Sequence, residues 1–99
     1  MWDVSVGYKV TYVSGLTGKH CTGTSIMNVE RSYDKWFDAY GALCALYKNI
    51  TGHMIRNEYP DLPQPMENKP FYVTSDFVPS DAPEGCIGMV FDITKREEA

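Results

Sequence analysis

From Trp2 to Val13 the chain alternates: Trp2, Val4, Val6, Tyr8, Val10 and Tyr12 are apolar, while Asp3, Ser5, Gly7, Lys9 and Thr11 are not. Successive side chains on a strand point to opposite faces, so a period of two predicts a half-buried strand with six β-favouring residues on one face. A slip of one residue would turn all six into water, which fixes the register. Gly7 within the run marks a bulge or a close approach of another segment. Ser14-Gly15-Leu16-Thr17-Gly18 predicts a hairpin connection, because glycine supplies the positive φ that a tight reversal needs. A second strand is expected from His20 to Val29. Thr22, Thr24 and Ile26 lie on one of its faces and Cys21, Gly23, Ser25 and Met27 on the other, a weaker pattern that suits an edge.

Between Ser32 and Thr51 the period becomes helical. Trp36, Tyr40, Leu43, Tyr47, Ile50 and Met54 recur at spacings of three and four, flanked by Phe37, Cys44 and Ala45. Ser32 is the expected N-cap, Asp34 suits the positive end of the helix dipole, Lys48 the negative end, and Gly52 the left-handed position that follows a helix. Gly41 in the helix interior costs about 1 kcal/mol relative to alanine, which suggests a close approach of helix and sheet there.

Residues 53–70 contain Pro60, Pro63, Pro65 and Pro70, which excludes a continuous helix or a central strand and predicts a long loop, an uncommon and more often functional feature. Within it, Pro60-Asp61-Leu62-Pro63 has PxxP form without the basic residue of a proline-motif ligand, so it is a stiff loop. A third strand is expected over Phe71 to Val78 and a fourth over Cys86 to Thr94, where Ile87, Met89, Phe91 and Ile93 alternate. The tail, 95–99, should fray. The order is strand, strand, helix, strand, strand. That defines one small α+β domain over 1–99, a mainly antiparallel four-stranded sheet with one helix packed on one face. A β-grasp-like arrangement with parallel first and last strands and an antiparallel meander both satisfy it.

Hydrophobic residues form 43% of the chain and charged residues 22%, which is ordinary globular usage and places the sequence outside the disordered class. Ninety-nine residues support one core and one domain. The formal charge of −4 argues against direct nucleic-acid binding, which needs clustered Lys and Arg. That charge is unevenly spread. Residues 1–56 carry six Lys and Arg against four Asp and Glu, and residues 57–99 carry three against nine. No basic, apolar leader opens the chain and no apolar run reaches membrane-spanning length, so the expected location is the cytoplasm, away from membranes. Cys21, Cys44 and Cys86, an odd set without a C-x-x-C pair, fit reduced thiols rather than disulfides or a zinc site.

Candidate catalytic patterns fail on chemistry. Gly15-Leu16-Thr17-Gly18-Lys19 resembles a phosphate loop, but Val13 and His20 stand where the pattern needs Gly and Ser or Thr, and a strand follows it instead of a helix. His20 and Cys21 are adjacent, yet neighbours on a strand point to opposite faces, so a thiolate dyad would need His53 or another distant partner. The same residues with Cys86 could ligate a metal only without any short-range ligand spacing. Ser32-Tyr33-Asp34-Lys35 matches S-x-x-K but lacks its companion motifs. Asp76, Asp81, Glu84 and Asp92 are close in sequence, but a general acid needs a shielded pocket, and a Pro-containing loop is ordinarily solvated. No enzyme activity, cofactor or metal is therefore expected.

Seven Tyr, two Trp and four Phe exceed what a small core needs. Tyr33, Tyr59 and Tyr72 have no evident core position, and exposed Tyr and Met are typical of protein interfaces. The expected partner-binding surface comprises Glu58, Tyr59, Asp61, Leu62, Met66 and Glu67 in the first loop and Asp76, Phe77, Asp81 and Glu84 in the second. The expected function is a small acidic cytosolic protein-binding module that acts as an inhibitor or adaptor by occluding a partner with a basic surface, in the style of phage or mobile-element accessory proteins. Two alternatives stand beside it: a small enzyme or ligand-binding domain using His20, Cys21 and His53, and an acidic nucleic-acid-mimic decoy.

Overall fold

The computed structural model describes residues 1–25, 27–62 and 64–96. Its elements run β1 (Trp2–Val13), β2 (His20–Thr24), β3 (Asn28–Tyr33), α1 (Trp36–Thr51), α2 (Ile55–Glu58), β4 (Phe71–Ser75) and β5 (Cys86–Lys95). The sheet has the order β2-β1-β5-β4, and β3 lies beside β2 on the same edge of β1. Every pairing is antiparallel, including that of the first and last strands, β1 and β5. The parallel central pair of a β-grasp is therefore not the arrangement adopted, and the antiparallel α+β domain is. No helix among the described residues is long and apolar enough to cross a membrane.

The expected single strand from His20 to Val29 is two strands. Ser25 replaces the ladder at the break: its amide donates to the Tyr8 carbonyl at 2.8 Å, and its Oγ accepts from the Tyr8 amide at 3.2 Å. A side chain that bonds to the backbone offers an alternative to the sheet ladder, and the β2 pairing ends here, opposite Gly7 and Tyr8. Gly7 serves close approach, since a Cβ there would overlap Met27 Sδ. Ile26, expected on the Thr22 face, lies outside the described residues.

The core forms where α1 covers the sheet. Trp2, Val4 and Val6 of β1, Val73 of β4, and Met89, Phe91 and Ile93 of β5 are buried against Trp36, Ala39, Leu43 and Tyr47, with Ile55 closing one end. The buried seam of α1 is Trp36, Ala39, Leu43, Tyr47 and Thr51, so the expected stripe is rotated: Tyr40 and Ile50 flank it and Met54 is exposed. Small Ala39 lets helix and sheet approach, and buried Thr51 is satisfied by donating its hydroxyl to the Tyr47 carbonyl at 2.8 Å.

Helix length also explains the fate of β1. Sixteen helical residues span about 24 Å and cover about seven strand residues. Trp2 to Tyr8 is that stretch. Beyond it Val10 is half-buried, Tyr12 and Val13 are exposed, and β1 with β2 projects as a finger, so the expected six-residue buried face stops short. The radius of gyration is 14.6 Å, against about 13 Å for a compact chain of this length. The fingertip is ordered. Gly18 at φ 69° donates to the Ser14 carbonyl at 2.8 Å, and the Ser14 amide donates to the Lys19 carbonyl at 2.9 Å, leaving Leu16 98% exposed.

Three local expectations are corrected. Ser32 does not cap α1: it lies in β3 and donates to Asp3 Oδ1 at 2.5 Å, while Lys35 occupies the N-cap with extended backbone and no side-chain bond. Asp34 thus precedes the helix, and Asp38 is the acidic residue of its first turn. Gly52 does take the left-handed position, φ 79°, and donates to the Lys48 carbonyl. Gly41 is exposed with no atom within 4 Å of a Cβ built on it, so no close packing requires glycine there. Gly41→Ala should therefore stabilise the domain by up to about 1 kcal/mol, read as a higher urea midpoint at unchanged slope.

The tail is partly tied down: Lys95 ends β5 and the Arg96 amide donates to the Met1 carbonyl at 2.9 Å. The loop after α1 holds one helical turn, α2, and returns to the sheet where Trp36 Nε1 donates to the Lys69 carbonyl at 2.8 Å. Tyr40 stacks on Trp36 at 5.1 Å and meets Phe71 edge-on at 5.6 Å, so the start of β4 is fixed against the start of the helix.

Candidate protein-binding site

β4 is expected to run to Val78 but stops at Ser75, whose Oγ accepts from the Phe77 amide at 3.1 Å and turns the chain away from β5. The turn lifts Asp76 and Phe77 out of the sheet at the end where α1 also terminates. Phe77, 38% exposed, separates two hollows. One, of about 400 Å³, is lined by His53, Glu58, Ser75, Asp76 and Phe77. The other, of about 380 Å³, is lined by Tyr8, Ile50, Phe77, Pro79, Ser80, Asp81 and Met89. Glu58, Asp76 and Asp81 thus line the hollows on either side of one aromatic ring, brought from two separate stretches of chain, α2 and the β4–β5 loop. The carbonyl end of α1 adds its negative partial charge at the same place. Lys9 Nζ lies 3.6 Å from Asp76, but that carboxylate is almost fully exposed and the pair is screened by water.

The remaining residues expected at this surface are not gathered there. Tyr59 donates its hydroxyl to the Thr74 carbonyl at 2.6 Å and packs, with Leu62, against the core, so both cover the edge of β4. Arg56 donates to the Leu62 carbonyl and braces the same loop. Tyr33 also packs against the core, leaving Tyr72, 69% exposed, as the free tyrosine of the three. Asp61, Met66 and Glu67 are exposed on the outer loop and line neither hollow. Glu84 stands beside Gly85, whose carbonyl accepts from the Thr11 amide at 2.9 Å, at the root of the finger.

The residues considered for catalysis are dispersed. His20 and Cys21 sit on β2 in the finger, whereas His53 follows α1 and lines the acidic hollow. Its amide bonds to Thr51 Oγ1 at 3.2 Å, which fixes the turn that presents it. Burial pushes the Cys44 thiol up, which suppresses the thiolate a nucleophile needs, and Cys86 donates to the Gly88 carbonyl. No group of three or more His, Cys, Asp and Glu among the described residues could hold a metal ion.

Sequence reasoning groups Asp92 with Asp76, Asp81 and Glu84 as solvated carboxylates, and the structure separates it from them. It lies on the face of β5 turned away from α1, directly across from Ser5 of β1 and Tyr72 of β4. Its Oδ1 is buried without a hydrogen-bond donor. Burial raises its carboxyl above the usual 3.8, opposed by a hydrogen bond from the Ser5 side chain. The nearby carboxylate on that face, Asp3, is held by Ser32 and lies 3.9 Å from Arg96. A carboxyl whose folded pKa exceeds its unfolded value favours folding while protonated, and that contribution is lost as pH rises from the unfolded value through the folded one. Asp92→Asn should remove this loss. The difference in urea midpoint between variant and parent should grow in favour of the variant as pH rises above 3.8, and a flat difference would contradict it.

No protein-family model matches the chain, and no curated protein or solved structure matches it.

Proposed function

We propose that the protein is a non-enzymatic protein-binding module that inhibits or adapts a partner by occluding it. The observation that carries this reading is the convergence of Glu58, Asp76 and Asp81 on the half-exposed ring of Phe77. A Lys or Arg of the partner enters the hollows with its stem against the ring and its charge among the carboxylates. The finger projects from the same end of the sheet and extends the footprint, with ordered Leu16 as an apolar contact. A tip already folded into a hydrogen-bonded turn loses less entropy on binding than an open loop. The suppressed Cys44 thiol and the separation of His20 and Cys21 from His53 support a binding role over catalysis.

The test is capture of partner proteins on the immobilised chain, then affinity measurement on what is retained. Glu58→Gln, Asp76→Asn and Asp81→Asn combined with Phe77→Ala should weaken binding about thirtyfold or more, with far-UV spectra unchanged. Binding by the parent should weaken with rising salt. Retained affinity in the combined variant would show that the partner docks elsewhere. Loss of capture when both histidines are replaced, with the carboxylates intact, would instead favour the ligand-binding alternative.

A further inference from the structure

The face of the sheet away from α1 is a groove of about 550 Å³, within the usual range of small-molecule sites. Its floor is the outward row of β5, Val90, Asp92 and Thr94; the β2–β3 bulge, through Thr24 and Met27, forms one wall, and Phe71 and Tyr72 form the other. The floor belongs to an inner strand, paired on both sides by β1 and β4. None of the described lining residues carries a positive charge, so the Asp92 carboxyl, whose Oδ1 is buried without a donor, has no ion partner among them. Directly across on β1, the Ser5 side chain hydrogen-bonds to the carboxyl but brings no charge. A partly buried carboxylate without a cation attracts one more strongly than the same group in water. The walls add thioether, aliphatic and aromatic surface, and a tyrosine face also attracts cations.

We infer that this groove binds a small organic cation, a primary ammonium on an aryl or alkyl body, with the ammonium on the Asp92 carboxylate and the body between Met27 and Tyr72. The net negative charge of the chain favours capture of such a ligand. The site is on a different surface from the acidic end of the domain and does not depend on what binds there.

The test uses the full chain and phenethylammonium as probe, followed by amide chemical shifts, with 2-phenylethanol and 3-phenylpropionate as neutral and anionic counterparts. Phenethylammonium should give saturable shifts centred on Tyr72, Val90, Asp92 and Thr94, and both counterparts should bind at least about tenfold more weakly. Asp92→Asn should weaken the ammonium by a similar factor, and Tyr72→Ala, at an exposed side chain, should weaken it severalfold without disturbing the fold. The comparison of probe charges needs only the parent protein, so it stands even if Asp92→Asn fails to fold. Absence of saturable shifts at millimolar probe, equal binding of the neutral counterpart, or shifts confined to another face would overturn the assignment. A lysine peptide that binds these residues while phenethylammonium does not would also overturn it, in favour of a protein side chain as occupant.

Discussion

Tyr47→Ala should destabilise the domain by about 3–5 kcal/mol, a large share of the about 5–15 kcal/mol that holds a typical domain together. Tyr47 is fully buried in the α1 seam, with its ring 5.0 Å from that of Phe91. Truncation would open a cavity between helix and β5 that neither rigid element can close. Tyr47→Phe should behave oppositely. The hydroxyl is buried without a partner, so removing it deletes a desolvated polar group and leaves the ring, and stability should hold or rise. Burial also pushes the phenol from 10.0 up to about 12, with Ser75 and Glu58 as its nearest polar neighbours. Since the folded value is the higher one, the stability it confers is complete below pH 10 and lost as pH rises towards 12; Tyr47→Phe should flatten that decline. Urea denaturation followed by far-UV circular dichroism decides the matter: equal losses for Ala and Phe would mean that the hydroxyl, not the ring, holds the helix.

Gly88→Ala should be the most damaging one-carbon addition in the sheet. A Cβ at Gly88 would overlap the Ser75 carbonyl oxygen and come within 3.0 Å of Lys9 Cε. Lysine can swing aside, but the carbonyl belongs to the last residue of β4, so the backbone of that strand must move. Overpacking of this kind costs about 1–3 kcal/mol. The displaced residue immediately precedes Asp76 and Phe77, so the variant should lose partner capture even under conditions where it remains folded. Gly7→Ala is a useful contrast, because the atom in its way is the sulfur of flexible Met27. A thermal midpoint for Gly88→Ala equal to that of the parent would refute the expected clash.

Much of the fold is legible because its signals are local. The period-two run of β1, the helical period after Trp36 and the prolines between Pro60 and Pro70 each declare a conformation without reference to the rest of the chain. The misread details all depend on a distant partner. Ser32 has the chemistry of a cap, but its oxygen is engaged by Asp3, 29 residues away. Tyr8 and Tyr12 occupy equivalent places in one alternation, yet the helix reaches only the first. Gly41 announces a cost in helix propensity, while the space around it is set by the tertiary arrangement. The candidate site divides along the same line. Acidic charge in the second half of the chain is visible in composition, and Glu58, Asp76, Phe77 and Asp81 do assemble. Tyr59 and Leu62 carry the residue types of an interface anchor, but the edge of β4 recruits them as cover. Asp92 is legible only as one of four neighbouring acids, because a carboxylate in a strand carries no spacing signal; only the loss of solvent around it sets it apart.

The antiparallel pairing of β1 with β5 also governs how the domain is made. Trp2 lies opposite Lys95, so β1 meets its partner at the centre of the sheet only after every element between them has been synthesised. Until β5 emerges, β1 has β2, β3 and the face of α1 for company, and its other edge stays unpaired. Closing so long a loop places the entropic barrier late and favours slow folding. Once closed, the bond between Arg96 and Met1 leaves the two ends of the described chain side by side. A short linker could therefore join them, and new termini could be opened at the fingertip without breaking a single core contact.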